Sequence, residues 1–567
     1  MKHIFVTLAL AIAAVILPPV TTTAQTMSGV INKYTSVSGY AAECGCLTVT
    51  SAKEFRSGDR VLVYQTQGAT VLRSNDDLFG VVGNAGQSGV FEFATIASVN
   101  GNSITLFTQL TNTYDFTNGT VQLVKVATGS DVILGNVEAK QFDGASGGII
   151  VIEASGTVSI NGVINAQAKG FRGGLTALSN YTCGMRAYSY PAGSLQGAMK
   201  GEAVARYDAA VMNGRGAWAN GGGGGNNHNA GGGGGGNAFT GGFGGYAWGN
   251  CPVKNDEQAR GIGGFGLSYN ARNPRMYFGG GGGAGHRNDN YNTTGGNGGG
   301  IVIIIADNIN VNGGSILANG GSAARVELDG AGGGGAGGSV LLYANNISNA
   351  LTVDVRGGNG GDARHVHGPG GGGSAGVVLI KQDQVPTGLT VIQHGGRSGM
   401  NYELGPNAAA YVQTPYGASN GENGAIISSV RINTASGASA NPVIVKAEAP
   451  VSVCGNQTLT VKATVTGSND VVYSWSGKGV NDTNASEINV RPTSTTTYTV
   501  RVQDARGCVA VDSVTVQVNA PVSVTAGNDR TMCTGGAVQL EAYTSGGNGT
   551  YTYAWTPAIG LNSAAIV

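Results

Sequence analysis

The chain has 567 residues, 100 of them glycine, and its 32 Lys and Arg balance its 32 Asp and Glu. Apolar residues make up 41%, too many for a wholly disordered protein, while 14 scattered prolines and glycines gathered in blocks exclude a collagen-like repeat. A net charge of zero, with no run of Lys or Arg, removes the electrostatic term that drives nucleic-acid binding, so no nucleic-acid partner is expected.

Residues 1–24 read as a secretory signal peptide: a short basic start at Met1, Lys2 and His3, an apolar run over 4–17, and small residues at Thr22, Thr23 and Ala24 for cleavage. The run is shorter than the roughly 20 residues that span a bilayer. Export predicts a secreted, extracellular or outer-surface protein, and an oxidising destination makes disulfides the default state of its seven cysteines.

Residues 25–142 alternate strand patterns, such as 60–64, 91–97 and 104–107, with turns at Ser57-Gly58-Asp59 and Asn100-Gly101-Asn102. Asn-Gly between apolar runs is a strong hairpin signal, and a small all-β domain is expected. From 143 to 397 the composition changes, since 66 of the 100 glycines fall between residues 141 and 380. There GGIIVIEASGTVSINGVINAQAKG at 147–170, GGGIVIIIADNINVNGGSILANGG at 298–321, GGSVLLYANNISNALTVDVRGGNGG at 337–361 and GGSAGVVLIKQDQVPTGLTVIQHGG at 372–396 repeat one order: glycine pair, apolar strand, polar turn, second strand, glycine pair. The last three begin 39 and then 35 residues apart, and strands as apolar as 301–305 require burial on both faces. A glycine-rich β-solenoid satisfies both requirements.

Pure glycine runs at 221–225, 231–236, 279–283, 332–335 and 370–373 sit at matching places relative to these strands. Extended segments without side chains approach to backbone contact if each amide finds a partner on a neighbour, so the runs are expected to pack as a layer of polyglycine helices. A long insertion at 171–297 carries aromatic rings among its glycines, and Trp218, Phe243, Tyr246, Trp248 and Tyr291 are the candidate ligand-binding residues for a glycan or a surface protein. The same rings would equally plug gaps that glycine leaves. Cys183 and Cys251 flank most of the insertion and are expected to pair.

Chemistry-bearing motifs are sparse. His228, His286, His365, His367 and His394 lie beside glycine runs, where imidazoles cap free carbonyls, and neither they nor Cys44-Gly45-Cys46 show zinc-ligand spacing, so no metal is expected. Gly-x-Ser-x-Gly occurs at 144–148 and 372–376, but strand follows where a nucleophile elbow needs helix. Glu153, Asp307, Asp354 and Arg356 stand in different contexts rather than as an acid–base pair, so no catalytic residue and no cofactor is assigned. A glycan-degrading solenoid enzyme, a polysaccharide lyase or hydrolase, is the alternative to a binding protein.

Residues 398–442 are polar and turn-rich, an expected cap and linker. Over 443–520, Cys454, Trp475 and Cys508 lie among alternating strands, the pattern of a β-sandwich with Cys454 expected to bridge Cys508; the closer likeness is to the Ig-like and PKD-like repeats of bacterial surface proteins. Residues 521–567 restart the order, with Cys533 and Trp555 separated by 22 positions against 21 in the first pair. The partner of Cys533 would then fall near about position 587, so the natural polypeptide is expected to continue into further β-sandwich repeats.

FRSGDRVLVYQTQGAT at 55–70, KGFRGG at 169–174, GGGGGAGH at 279–286, GGNGGGIVIIIA at 295–306, DGAGGGGAGG at 329–338 and HGPGGGG at 367–373 resemble the N-terminal region of very large secreted proteins of gliding Gram-negative bacteria. The resemblance covers nearly all of the mature chain. It implies a glycine-rich β head followed by Ig-like or PKD-like repeats, a distant gliding-motility-associated sorting domain read by the type IX secretion system, and an adhesin-like role at the cell surface.

Overall fold

A computed structural model describes residues 24–404, 411–434, 443–450, 452–455, 457–480, 484–505, 508–547, 549–563 and 565. Residues 1–23 of the expected signal peptide, and 405–410 and 435–442 of the expected cap and linker, lie outside these residues. Among the described residues there are strands, turns and extended segments and no helix, so the chain is all-β.

Six strands close a barrel in the order Lys33–Ala41, Cys46–Val49, Ser103–Leu106, Phe91–Asn100, Arg60–Gln67 and Thr120–Lys125. The hairpin at Gly101-Asn102 forms as its sequence requires, with Asn100 paired to Ser103 and Gly101 at φ 57°. Side chains alternate along a strand, so Val61 and Val63 fill the barrel while Leu62 and Tyr64 face outward. Those two enter a second core with Phe278, Ile149 and Ile301, which fastens the barrel to the glycine-rich region.

That region is organised by two parallel sheets. One runs Ala127–Gly129, Ile149–Ala154, Ile301–Ile305, Ser339–Tyr343, Val377–Ile380 and Ala425–Ile427. The other contains Asn346–Ser348, Asn308–Val311, Thr157–Ile160, Val132–Glu138, Val163–Asn165, Ser315–Leu317, Leu351–Asp354 and Leu389–Ile392, with Gln25–Gly29 pairing beside Val132–Glu138. Ile152, Ile304, Leu342 and Ile380 of the first sheet meet Val158, Ile309, Val311 and Val353 of the second. Val151, Ile303, Leu341 and Leu379 point the other way, into the core shared with the barrel. The first sheet is therefore buried on both faces, as its unbroken apolar strands require. Ile301 pairs with Ser339 and Ser339 with Val377, steps of 38 residues each. Two boundaries move from their expected places. Val132–Glu138 belongs to the second sheet rather than to the barrel domain, and Ala425–Ile427, within the expected cap and linker, pairs with Val377–Ile380.

The glycine runs cover the outer side of this core. Along 231–236 each amide donates in turn to Gly245, Ala331, Gly223, Gly242, Gly334 and Asn220, so every third residue returns to the same neighbour. The carbonyls of the same six residues accept from Gly261, Gly371, Gly283, Gly264, Ser374 and Gly280, again in threes. One segment thus bonds six others, the arrangement a three-residue-per-turn helix allows when no side chain intervenes.

Downstream, Ile444–Glu448, Leu459–Thr466 and Glu487–Val490 form one sheet, and Ser452–Cys454, Val509–Asn519, Thr496–Asp504 and Val471–Ser476 a second, around Val461, Trp475, Tyr498 and Val500. The expected Cys454–Cys508 bridge is not formed. Cys508 is buried and joins Cys44 of the barrel, 464 residues upstream, while Cys454 is exposed on its edge strand. Beyond 520, Ser523–Thr525 pairs with Tyr543–Ser545 and Cys533 is exposed.

Candidate functional site

The aromatic candidates do not gather on one surface. Trp218 is 2% exposed, its ring tilted against Phe79 at 6.1 Å and its indole N–H donated to the Arg206 carbonyl, so it fills a gap between barrel and glycine layer. Tyr291 packs on Val326, Ala331 and Ala363. Phe243 and Tyr246 lie three residues apart on an edge segment, so a three-residue turn aims both the same way. The Arg260 guanidinium bridges their rings at 4.6 and 5.4 Å. Tyr416 closes on Tyr246 edge-on at 5.6 Å. Trp248 rests against the His228 ring at 4.8 Å.

A larger feature escaped sequence reasoning. A cleft of about 710 Å³ opens between the Val82–Asn84 strand and the segment 265–277. Phe265, Leu267, Tyr269 and Tyr277 form its apolar floor, and Asn270, Asn273 and Arg275 stand along it. The floor is held from behind. Tyr269 meets Tyr277 edge-on at 5.2 Å, its hydroxyl donates to Asn237, and it lies 3.0 Å from the Ser339 hydroxyl at the start of the central strand. Burial raises the Tyr269 phenol above its ordinary value, so it stays protonated. Arg275 donates to the Ser88 carbonyl at 2.8 Å, tying the cleft to the barrel side. None of the lining residues carries a carboxylate. Rings beside amides and a guanidinium suit a ligand rich in hydroxyls. A sequence signal existed: 265–278 holds a single glycine and carries aromatics at both ends of an Asn- and Arg-rich middle.

Other polar groups in the layer are consumed by structure. Lys200 is fully buried, and its ammonium donates to the carbonyls of Tyr188, Gly214 and Gly216 at 2.6 to 2.8 Å. His394 approaches the Gly395 carbonyl as expected for a cap, at 3.3 Å. His286 and His367 do otherwise: both meet Asn229, the first accepting its backbone N–H at 3.2 Å and the second facing its side-chain amide at 3.3 Å. Burial pushes both imidazoles down to about 3, which keeps them neutral. Cys183 is disulfide-bonded to Cys251 beside His228.

The chain matches no family model, and no curated protein matches it.

Proposed function

We propose that this is a secreted cell-surface or extracellular-matrix protein of adhesin type, with a glycine-rich β-solenoid as its binding head and Ig-like or PKD-like modules as its stalk. The observation that carries the reading is the cleft between the Val82–Asn84 strand and 265–277, an aromatic and amide surface mounted on a hydrogen-bonded glycine wall. A preorganised floor loses little entropy when a ligand settles on it. The regular 38-residue register supports the solenoid, and two disulfides fit an oxidising exterior. The resemblance to gliding-bacterium surface proteins supports type IX export. The lining offers rings, amides and a guanidinium, groups that hold a glycan or protein, whereas glycoside cleavage calls on a carboxylate pair.

The purified chain, screened against polysaccharides, is expected to retain a ligand without releasing products. Replacing the exposed Asn270 and Asn273 together by Ala should weaken retention by about tenfold, through two lost hydrogen bonds of about 0.7 kcal/mol each. Product release would favour the glycan-degrading enzyme instead, and neither retention nor turnover would leave a structural role.

A further inference from the structure

The two sulfurs of the Cys183–Cys251 bridge and a ring nitrogen of His228 all lie within 4.8 Å of one another. Two thiolates and an imidazole at this separation are a zinc-type donor set that leaves a fourth position for water. We propose that the disulfide masks a metal site: once it is reduced, Cys183, Cys251 and His228 bind one Zn²⁺ or a similarly thiophilic divalent cation.

The groups are held together by more than the S–S bond. The backbone N–H of His228 donates to the Thr182 carbonyl at 3.3 Å, next to Cys183. The His228 carbonyl accepts from Trp248 at 2.8 Å, and the Trp248 carbonyl in turn accepts from Cys251 at 2.9 Å. The imidazole is fixed between Tyr181, 5.7 Å away edge-on, and Trp248 at 4.8 Å. The three ligand-bearing segments are thus bonded to one another through the backbone, and cutting the disulfide leaves that frame in place. The Cα atoms of the two cysteines are 5.8 Å apart. Metal–sulfur bonds of about 2.3 Å place tetrahedral sulfurs about 3.8 Å apart, within reach of a side-chain rotation. Cys183 and His228 are half-buried, so water reaches the open position.

The redox step needs a dithiol. One of its thiolates attacks a sulfur of the bridge and displaces the other cysteine as thiolate; its second thiolate then resolves the mixed disulfide. Two electrons pass to the protein, which ends with two cysteine thiols, and the dithiol ends as a cyclic disulfide. Cation binding afterwards releases two protons from the thiols. Oxidised, the site is a structural bridge; reduced, it is a metal centre.

The test uses the full chain with Cys44, Cys46, Cys454, Cys508 and Cys533 replaced by Ser, so that Cys183 and Cys251 are its remaining cysteines, reduced with dithiothreitol, desalted without oxygen and titrated with Co²⁺ alone. One Co²⁺ per chain is expected, with thiolate-to-metal charge-transfer absorption that Zn²⁺ displaces and that the oxidised chain does not give. Cys251→Ser should abolish the charge-transfer band. His228→Phe, which keeps a ring between Tyr181 and Trp248, should weaken binding by at least about tenfold. Absence of uptake, equal uptake by Cys251→Ser, or unchanged affinity in His228→Phe would overturn the proposal. So would loss of the fold on reduction that Zn²⁺ fails to restore.

Discussion

At the scale of single residues, glycine in the packed runs is required by its neighbours and not by its own backbone angles. None of the glycines in 231–236 has a left-handed φ, yet a Cβ on Gly234 would stand 1.9 Å from the Gly372 carbonyl oxygen. That contact is far inside van der Waals distance, and the obstacle is backbone bonded on both sides, so it does not yield. Gly234→Ala is expected to cost at least about 3 kcal/mol in urea unfolding. Gly39→Ala is the control, because its Cβ would meet only the Thr48 side chain at 3.9 Å, and about 0.5 kcal/mol or less is expected. The buried histidines give a second residue-scale expectation. His286 and His367 titrate near about 3 when folded against 6.5 in the unfolded chain. Between those values the unfolded state holds protons that the folded state refuses. Their contribution is therefore complete above about pH 6.5 and falls as pH drops, by up to about 1.4 kcal/mol per pH unit for each histidine. Urea midpoints measured from about pH 7 to about pH 4.5 should decline, and His286→Gln should flatten the decline; a pH-independent midpoint would contradict it.

At the scale of elements, the glycine runs behave as secondary structure whose ladder bonds are distributed around the segment instead of along two edges. Every amide of 231–236 has a partner and the run is wholly buried. Hydrogen-exchange mass spectrometry should find these amides as protected as those of Ile301–Ile305, despite a sequence that reads as linker. Complete exchange within seconds would refute the layer. Strand content was legible because its signals are local: the burial of Ile301, Ile303 and Ile304 follows from the apolar run itself, and the Asn100-Gly101 turn from its two residues. The register was blurred, since glycine pairs spaced 39 and 35 mark the loops while paired strands step by 38. What failed was whatever depends on distant segments meeting. The cleft joins 81–85 to 265–277, and Trp218 is hidden by Phe79 from the barrel side, neither of which spacing along the chain encodes.

At the scale of the whole molecule, the bridge between Cys44 and Cys508 decides how the downstream two-sheet module sits on the barrel. Pairing within the module, Cys454 to Cys508, would have stiffened the module and left it tied to the barrel by chain alone. The observed pairing instead clamps the Val509–Asn519 sheet against the barrel, next to Phe91–Asn100. Arg60 binds Glu153 at 2.8 Å and also donates to the Thr434 carbonyl at 2.5 Å, which ties the barrel to the first parallel sheet and to the segment ahead of the module, not to the module itself. The barrel and parallel sheets have their own large cores, so cutting the clamp should leave them folded. The module has one core, as large as the inner core of the barrel but without the second core that fastens the barrel to the glycine-rich region, and its unfolding is opposed by the clamp because its chain end stays anchored. Replacing Cys44 and Cys508 together by Ser is therefore expected to lower the melting of the module by several degrees, leave that of the barrel and parallel sheets unchanged, and increase the radius of gyration in solution scattering. Cys454→Ser should change none of the three, since Cys454 is exposed and outside any bridge. If the double variant scatters like the parent, the face between the Phe91–Asn100 and Val509–Asn519 strands holds the module without the disulfide; if Cys454→Ser alone destabilises the module, the pairing is the local one after all.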